Sequence, residues 1–98
     1  MLDPDRLTQI LTYCRIDDPT EAELALLERF IESAEGYLAA AGIREPEANT
    51  PRHSEWLLAV SALVLDSWDR RGATSGASTL AEEPGFRRLI NQLKFSEV

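Results

Sequence analysis

The chain has 98 residues but only one cysteine and one histidine. The single cysteine, Cys14, forbids an internal disulfide, so nothing in the composition calls for an oxidising compartment. His53 has no second histidine to join it, and Cys14 falls in a different segment. A protein-bound zinc needs three or four such ligands close together, so neither a metal nor another cofactor is expected. No apolar run approaches the roughly 20 residues needed to span a bilayer. The opening MLDPDRL lacks the basic-then-apolar order of a signal peptide, which makes cytoplasmic folding the expectation. No segment alternates with period two, so no strand is needed and no strand-to-helix phosphate loop can be placed. Internal repeats and heptad runs of coiled-coil length are missing too. No nucleophile–base set can be assembled, and no catalytic residue is assigned.

The remaining composition is that of a globular domain, 44% hydrophobic and 28% charged. A chain of this length makes one domain, residues 1–98, and buries roughly 60–65% of its unfolded surface. The formal net charge is −7, unevenly spread. Residues 1–50 hold eleven acids against four arginines, whereas residues 51–98 hold six acids against six bases. An acidic first half repels phosphate, which argues against groove-reading of nucleic acid. Unequal charge can orient one copy of a protein against another.

Four of the five prolines follow one pattern: Asp3-Pro4, Asp18-Pro19, Thr50-Pro51 and Glu83-Pro84. Proline suits the first helical position, where its missing N–H would be unpaired anyway, and Asp or Thr before it can cap the open amides. Four helices are therefore expected. The first runs over about residues 4–15, with Leu7, Ile10, Leu11 and Cys14 on one stripe. Cys14 continues that stripe and reads as a small core hydrophobe.

Helix two starts at Asp18-Pro19-Thr20-Glu21, with Asp18 as cap, and continues to about Ala41 before Gly42 stops it. Its apolar arc is Leu24, Leu27, Phe30, Ile31, Ala34, Tyr37, Leu38 and Ala41. Helix three, from Pro51 to before Gly72, is apolar nearly all round between Trp56 and Leu65 and reads as a long central element. Helix four, Pro84 to Phe95, carries Phe86, Leu89, Ile90 and Leu93. The expected fold is all-α, a compact four-helix bundle. Between helices three and four, residues 72–82 are small and almost uncharged, and a stretch of that kind is usually functional or mobile.

Two constellations could carry binding. Glu21, Glu28, Glu32 and Glu35 project to one side of helix two at about 100° per residue. They form either a solvated face or a surface for a basic partner. The second half supplies such a basic surface: Arg70 and Arg71 in the stretch SWDRRG, and Arg87 and Arg88 in helix four. Cations complement the end of a helix, and Asp66–Arg70 has the favourable acid-first order, so helix termination explains part of SWDRRG. Trp68 either closes the end of the bundle or, if exposed, anchors an interface. His53, in the first turn of helix three, reads as exposed or locally hydrogen-bonded. Asp17-Asp18 is an acidic pair without an evident pocket.

Head-to-tail packing of the acidic helix two on the arginine-bearing end of another copy gives a ring if the rotation closes. A free-standing small helical protein–protein interaction module is the alternative, and a helical nucleic-acid binder or an enzyme using Asp17, Asp18 or His53 is disfavoured.

The chain also resembles the phage head–tail connector, or adaptor, family. The resemblance is carried by Tyr13-Cys14-Arg15-Ile16-Asp17-Asp18 before a long helix with Ile31, Ala34 and Tyr37. It continues through the apolar helix ending Trp68-Asp69-Arg70-Arg71, and through Phe86, Leu89, Ile90 and Leu93 in a short closing helix. It spans roughly residues 4–95, in order. Trp68 stands where the family usually has Tyr, and Cys14 where it usually has Leu. What the resemblance implies is an all-helical adaptor of phage or prophage, made in the bacterial cytoplasm and ending in the virion neck. It would form a ring on the portal protein, extend the DNA channel and dock a downstream neck or stopper protein. DNA would be passing cargo only, with no membrane and no cofactor involved.

Overall fold

The computed structural model describes residues 4–71 and 80–95. Among these described residues four helices form, α1 (Pro4–Cys14), α2 (Glu21–Ala40), α3 (Pro51–Asp69) and α4 (Pro84–Phe95), with a 3-10 turn at Leu80–Glu82 before the last. No strand occurs among the described residues. The small-residue stretch that the sequence marks before helix four lies, over residues 72–79, outside the described residues.

Local chemistry explains the ends of each helix. α1 stops because Arg15 takes a left-handed conformation, φ 57°. Its N–H donates to the Thr12 carbonyl, and that of Ile16 donates to the Leu11 carbonyl. This pair of bonds is the Schellman closure, and the half-buried Leu11 and Ile16 are placed to supply its apolar contact. The end of α2 repeats it with better chemistry. Gly42 (φ 86°) occupies the left-handed position without a Cβ, Gly42 and Ile43 donate to the Ala39 and Leu38 carbonyls, and Leu38 and Ile43 are both fully buried.

The start of α2 corrects the sequence reading. The cap is Thr20, not Asp18: the Thr20 hydroxyl accepts from the Glu23 N–H at 3.1 Å, and the Glu23 carboxylate accepts from the Thr20 N–H at 2.9 Å. Pro19 therefore precedes the cap instead of opening the helix. Asp18, at φ 47°, belongs to the reversal that brings the chain round from α1. At α3 the expectation holds. Thr50 caps, Pro51 is the first helical residue, and the Thr50 hydroxyl accepts from the His53 N–H at 3.1 Å.

α3 packs against each of the other three helices. It gives Trp56, Ala59, Val60 and Val64 to a core completed by Ile10 of α1, Leu27, Ile31 and Leu38 of α2, and Phe86 and Leu93 of α4. Ser61 is buried in this core, and its hydroxyl donates to the Leu57 carbonyl at 2.8 Å, so its polarity is locally satisfied. α4 is tied down at its far end by the Arg52 guanidinium, which donates to the Leu93 carbonyl at 2.8 Å. One apolar expectation fails at the surface: Tyr37, on the apolar arc of α2, is 47% exposed, and on α3 Leu58 is 49% exposed, because no described helix covers those flanks.

Candidate functional site

The α2 acids do not form the uniform row that the helical spacing suggests. Glu21, Glu28 and Glu32 are exposed. Glu35 is not free: its carboxylate accepts from Arg6 of α1 at 2.8 Å and is only half-exposed. The exposed row is thus three carboxylates, and the fourth is an internal clamp between two helices.

Glu35 belongs to a node that the sequence reading missed. The Arg6 guanidinium also donates to Glu45 in the connection between α2 and α3, and it lies 5.1 Å from the ring centroid of buried Trp56. His53 Nε2 is 3.0 Å from the same Glu45 carboxylate, and its ring lies 5.5 Å from that of Trp56. Arg6, Glu35, Glu45, His53 and Trp56 therefore hold α1, the end of α2, the connection and the start of α3 together. The pairs span 29 and 39 residues, so no local spacing announces them. A polar cleft of about 280 Å³ opens beside Arg6 and His53. Asp17 and Asp18 line a different, open depression at the α1–α2 corner, so the structure does not bring them to His53. Among the described residues no three His, Cys, Asp or Glu side chains gather to hold a metal.

At the end of α3 both arginines of SWDRRG are partnered. Arg70 Nε and Nη2 donate to one Asp66 carboxylate oxygen at 3.1 and 2.8 Å. The Arg71 guanidinium stacks 3.7 Å from the Trp68 ring centroid and donates to the Trp68 carbonyl. Trp68 is half-buried, packed on the core with one face and covered by Arg71. It closes the end of α3, while exposed Arg71 keeps its charge in water. Arg87 and Arg88 are exposed on α4, whose sequence, PGFRRLINQLKF, also carries Lys94 and no acid. It is the only described helix without a carboxylate.

Between α2, the end of α3 and the start of α4 lies a groove of about 220 Å³. Phe30, Ala34, Leu63, Leu80 and Phe86 form its apolar lining. Exposed Ser33 and Tyr37 edge it on the α2 side, and Asp66 and Arg70 edge it on the α3 side. Ser33 and Tyr37 each follow an acid of the row, Glu28 and Glu32, by five residues, which is about 140° of helical rotation. The groove and the carboxylate row therefore occupy different flanks of α2.

Cys14 is buried, and its thiol pKa is pushed up to about 11, first by loss of hydration and then by the Asp69 carboxylate. That disfavours the thiolate, the reactive form. Compared with known protein families, curated proteins and solved structures, the chain matches none.

Proposed function

We propose that this chain is a structural adaptor of the head–tail connector kind. Copies pack head to tail into a ring on a phage or prophage portal, extend the DNA channel and present a platform to the next neck protein. The observation that carries the reading is the separation of charge on one small helical body. Exposed Glu21, Glu28 and Glu32 lie along α2, whereas exposed Arg71, Arg87 and Arg88 lie at the end of α3 and on α4. A heterologous contact between such surfaces leaves both free ends available, so it propagates and closes into a ring at the right rotation. The sequence resemblance to the connector family supplies the biological setting. A net charge of −7 also suits a conduit through which DNA passes without adhering.

The test is particle mass against ionic strength, by mass photometry and sedimentation velocity, with and without the portal protein of a phage or prophage whose genome carries this sequence. Rings are expected at low salt or on the portal, visible by electron microscopy and weakened by salt and by Glu28→Lys plus Glu32→Lys. Association indifferent to salt and to that double substitution would refute the electrostatic packing. A portal that recruits no ring would refute the adaptor reading.

A further inference from the structure

The first two helices end in the same motif, built from different residues. Both α1 and α2 close with a left-handed residue and two hydrogen bonds donated from beyond the helix. At α2 the left-handed residue is Gly42, which adopts φ 86° at no steric cost. At α1 it is Arg15, at φ 57°, and three residues later Asp18 is left-handed too, at φ 47°. Pro19 adds to the strain, because a proline ring pushes the residue before it toward extended backbone. Residues 15–20, between α1 and α2, therefore hold a tight reversal that an extended chain would not need.

The helix held back by this corner has a simple seat. α1 packs chiefly on α3, and of its own residues it buries Ile10 and Cys14. Leu7 and Leu11 are half-buried against the core, and the Arg6 guanidinium reaches Glu35, Glu45 and the Trp56 ring. An α1 from a second, identical copy would meet the same groups in the same way. Opened to full extension, the six residues of the corner span about 20 Å, enough to pass α1 to a neighbour.

We infer that copies of this chain exchange α1: the helix leaves its own α3 and docks on α3 of another copy, with Arg6 meeting Glu35, Glu45 and Trp56 there. The occupant of that α3 face is the one the structure already shows on it, supplied by a second molecule. Contacts between α1 and the core are the same in both forms, so the corner and the protein concentration decide between them. Opening gives up the two closing hydrogen bonds, whose groups then meet water, and the partial burial of Ile16. It releases both left-handed residues. Pro19 keeps the opened corner from fusing α1 and α2 into one helix, since it has no N–H to donate and its ring clashes with a preceding turn. Short connections under strain are where such exchange starts. Reciprocal exchange closes as a dimer and one-way exchange as a ring, with the same contact in each. Neither needs the charge pairing proposed above.

The experiment uses the full chain and two double variants at Arg15 and Asp18, both exposed. Arg15→Gly with Asp18→Gly removes the strain of the closed corner. Arg15→Val with Asp18→Val raises it, because a β-branched side chain tolerates left-handed backbone least. Circular dichroism checks folding. Each protein is concentrated, warmed into partial unfolding, cooled, and sized by sedimentation velocity in about 1 M salt, which screens surface charge contacts. The ratio of assembled to monomeric protein should be at least about tenfold higher with the valines than with the glycines, the parent lying between. Isotope-filtered NMR on the assembled parent, made from labelled and unlabelled copies mixed before warming, should show Ile10 of one copy against the α3 core of the other. If the valines prevent folding, the parent-to-glycine ratio and the NMR contact decide. The exchange is wrong if neither parent nor valine variant gives a salt-resistant assembly, if the assembled fraction ignores the corner residues, or if Ile10 contacts only its own copy.

Discussion

Removing the Arg6 guanidinium should loosen α1 against the rest of the bundle, while Ile10 and Cys14 still hold it to the core. Arg6→Ala deletes two ion pairs, to Glu35 and Glu45, and the contact over the Trp56 ring. The three side chains are 20%, 30% and 42% exposed, so water screens the pairs and each contributes about 0.5–1 kcal/mol. The cation–π contact adds about 0.5–1 kcal/mol. Because both carboxylates still reach solvent, their loss of a partner leaves no buried orphan charge and no larger penalty. The sum is about 2 kcal/mol. At about 4–8 °C per kcal/mol for a domain of this size, the midpoint should fall by about 8–16 °C.

Thermal unfolding followed by circular dichroism reads the shift, and hydrogen exchange should show the α1 amides opening first. Raising salt to about 1 M shortens the screening length to about 3 Å, so the gap between parent and variant should narrow but not close, the ring contact being less sensitive. Arg6→Lys should recover less than half of the loss, since one ammonium cannot fork between two carboxylates as a guanidinium does. A loss below about 0.5 kcal/mol, or α1 amides as protected as before, would show that the node does not fasten α1.

Arg15 holds a left-handed conformation at the end of α1 that costs a residue with a Cβ about 1 kcal/mol, so Arg15→Gly should stabilise by up to that amount, less the entropy glycine adds to the unfolded chain. Chemical denaturation midpoints measure it. Thr20→Ala removes half of the capping box at α2 and should cost about 1 kcal/mol in the same assay. The Cys14 thiol is raised from its ordinary 9.0 to about 11, so the native state binds this proton more tightly than the unfolded chain does. Its contribution to stability is full below pH 9 and is lost as pH climbs toward 11, a decline that Cys14→Ala should flatten in denaturation measured across that window. Below pH 9 the native thiol should react with a disulfide reagent only as fast as the structure opens around it.

Helix positions were legible because their signals are local. Thr50-Pro51 and Gly42 each act within one turn, and the stripe Ile10, Cys14 or Leu27, Ile31, Leu38 needs only the 3.6-residue period. The error at Asp18 was local as well. Two candidate caps stood two residues apart, and what decides between them is the reach of Glu23 back to the Thr20 N–H, together with a backbone at Asp18 that has already turned left-handed. Pro19 misled because proline is tolerated just before a cap as well as just after one. Tyr37 misled for a different reason: helical phase assigns it to the apolar arc, but phase does not say how wide the neighbouring helix is or where it stops.

The electrostatics were legible only where partners lie close in sequence. Asp66–Arg70, four residues apart, could be read from spacing, and the structure holds it as a two-nitrogen contact. Arg6–Glu35 and Arg6–Glu45 could not, since they exist only after α1 and α2 have both packed on α3 and the connection has folded back. The consequence for binding is specific. A charge row projected from sequence counts every carboxylate as available, and tertiary structure then withdraws some for internal use. Glu35 is withdrawn by Arg6, and Arg70 on the basic side by Asp66. Of the eight side chains picked out by spacing, Glu21, Glu28 and Glu32 remain exposed on α2, and Arg71, Arg87 and Arg88 at the end of α3 and on α4. The proposed contact between those sets does not draw on the Arg6 and Asp66–Arg70 pairs that hold each copy together, so salt that breaks the proposed assembly should leave the folded monomer intact.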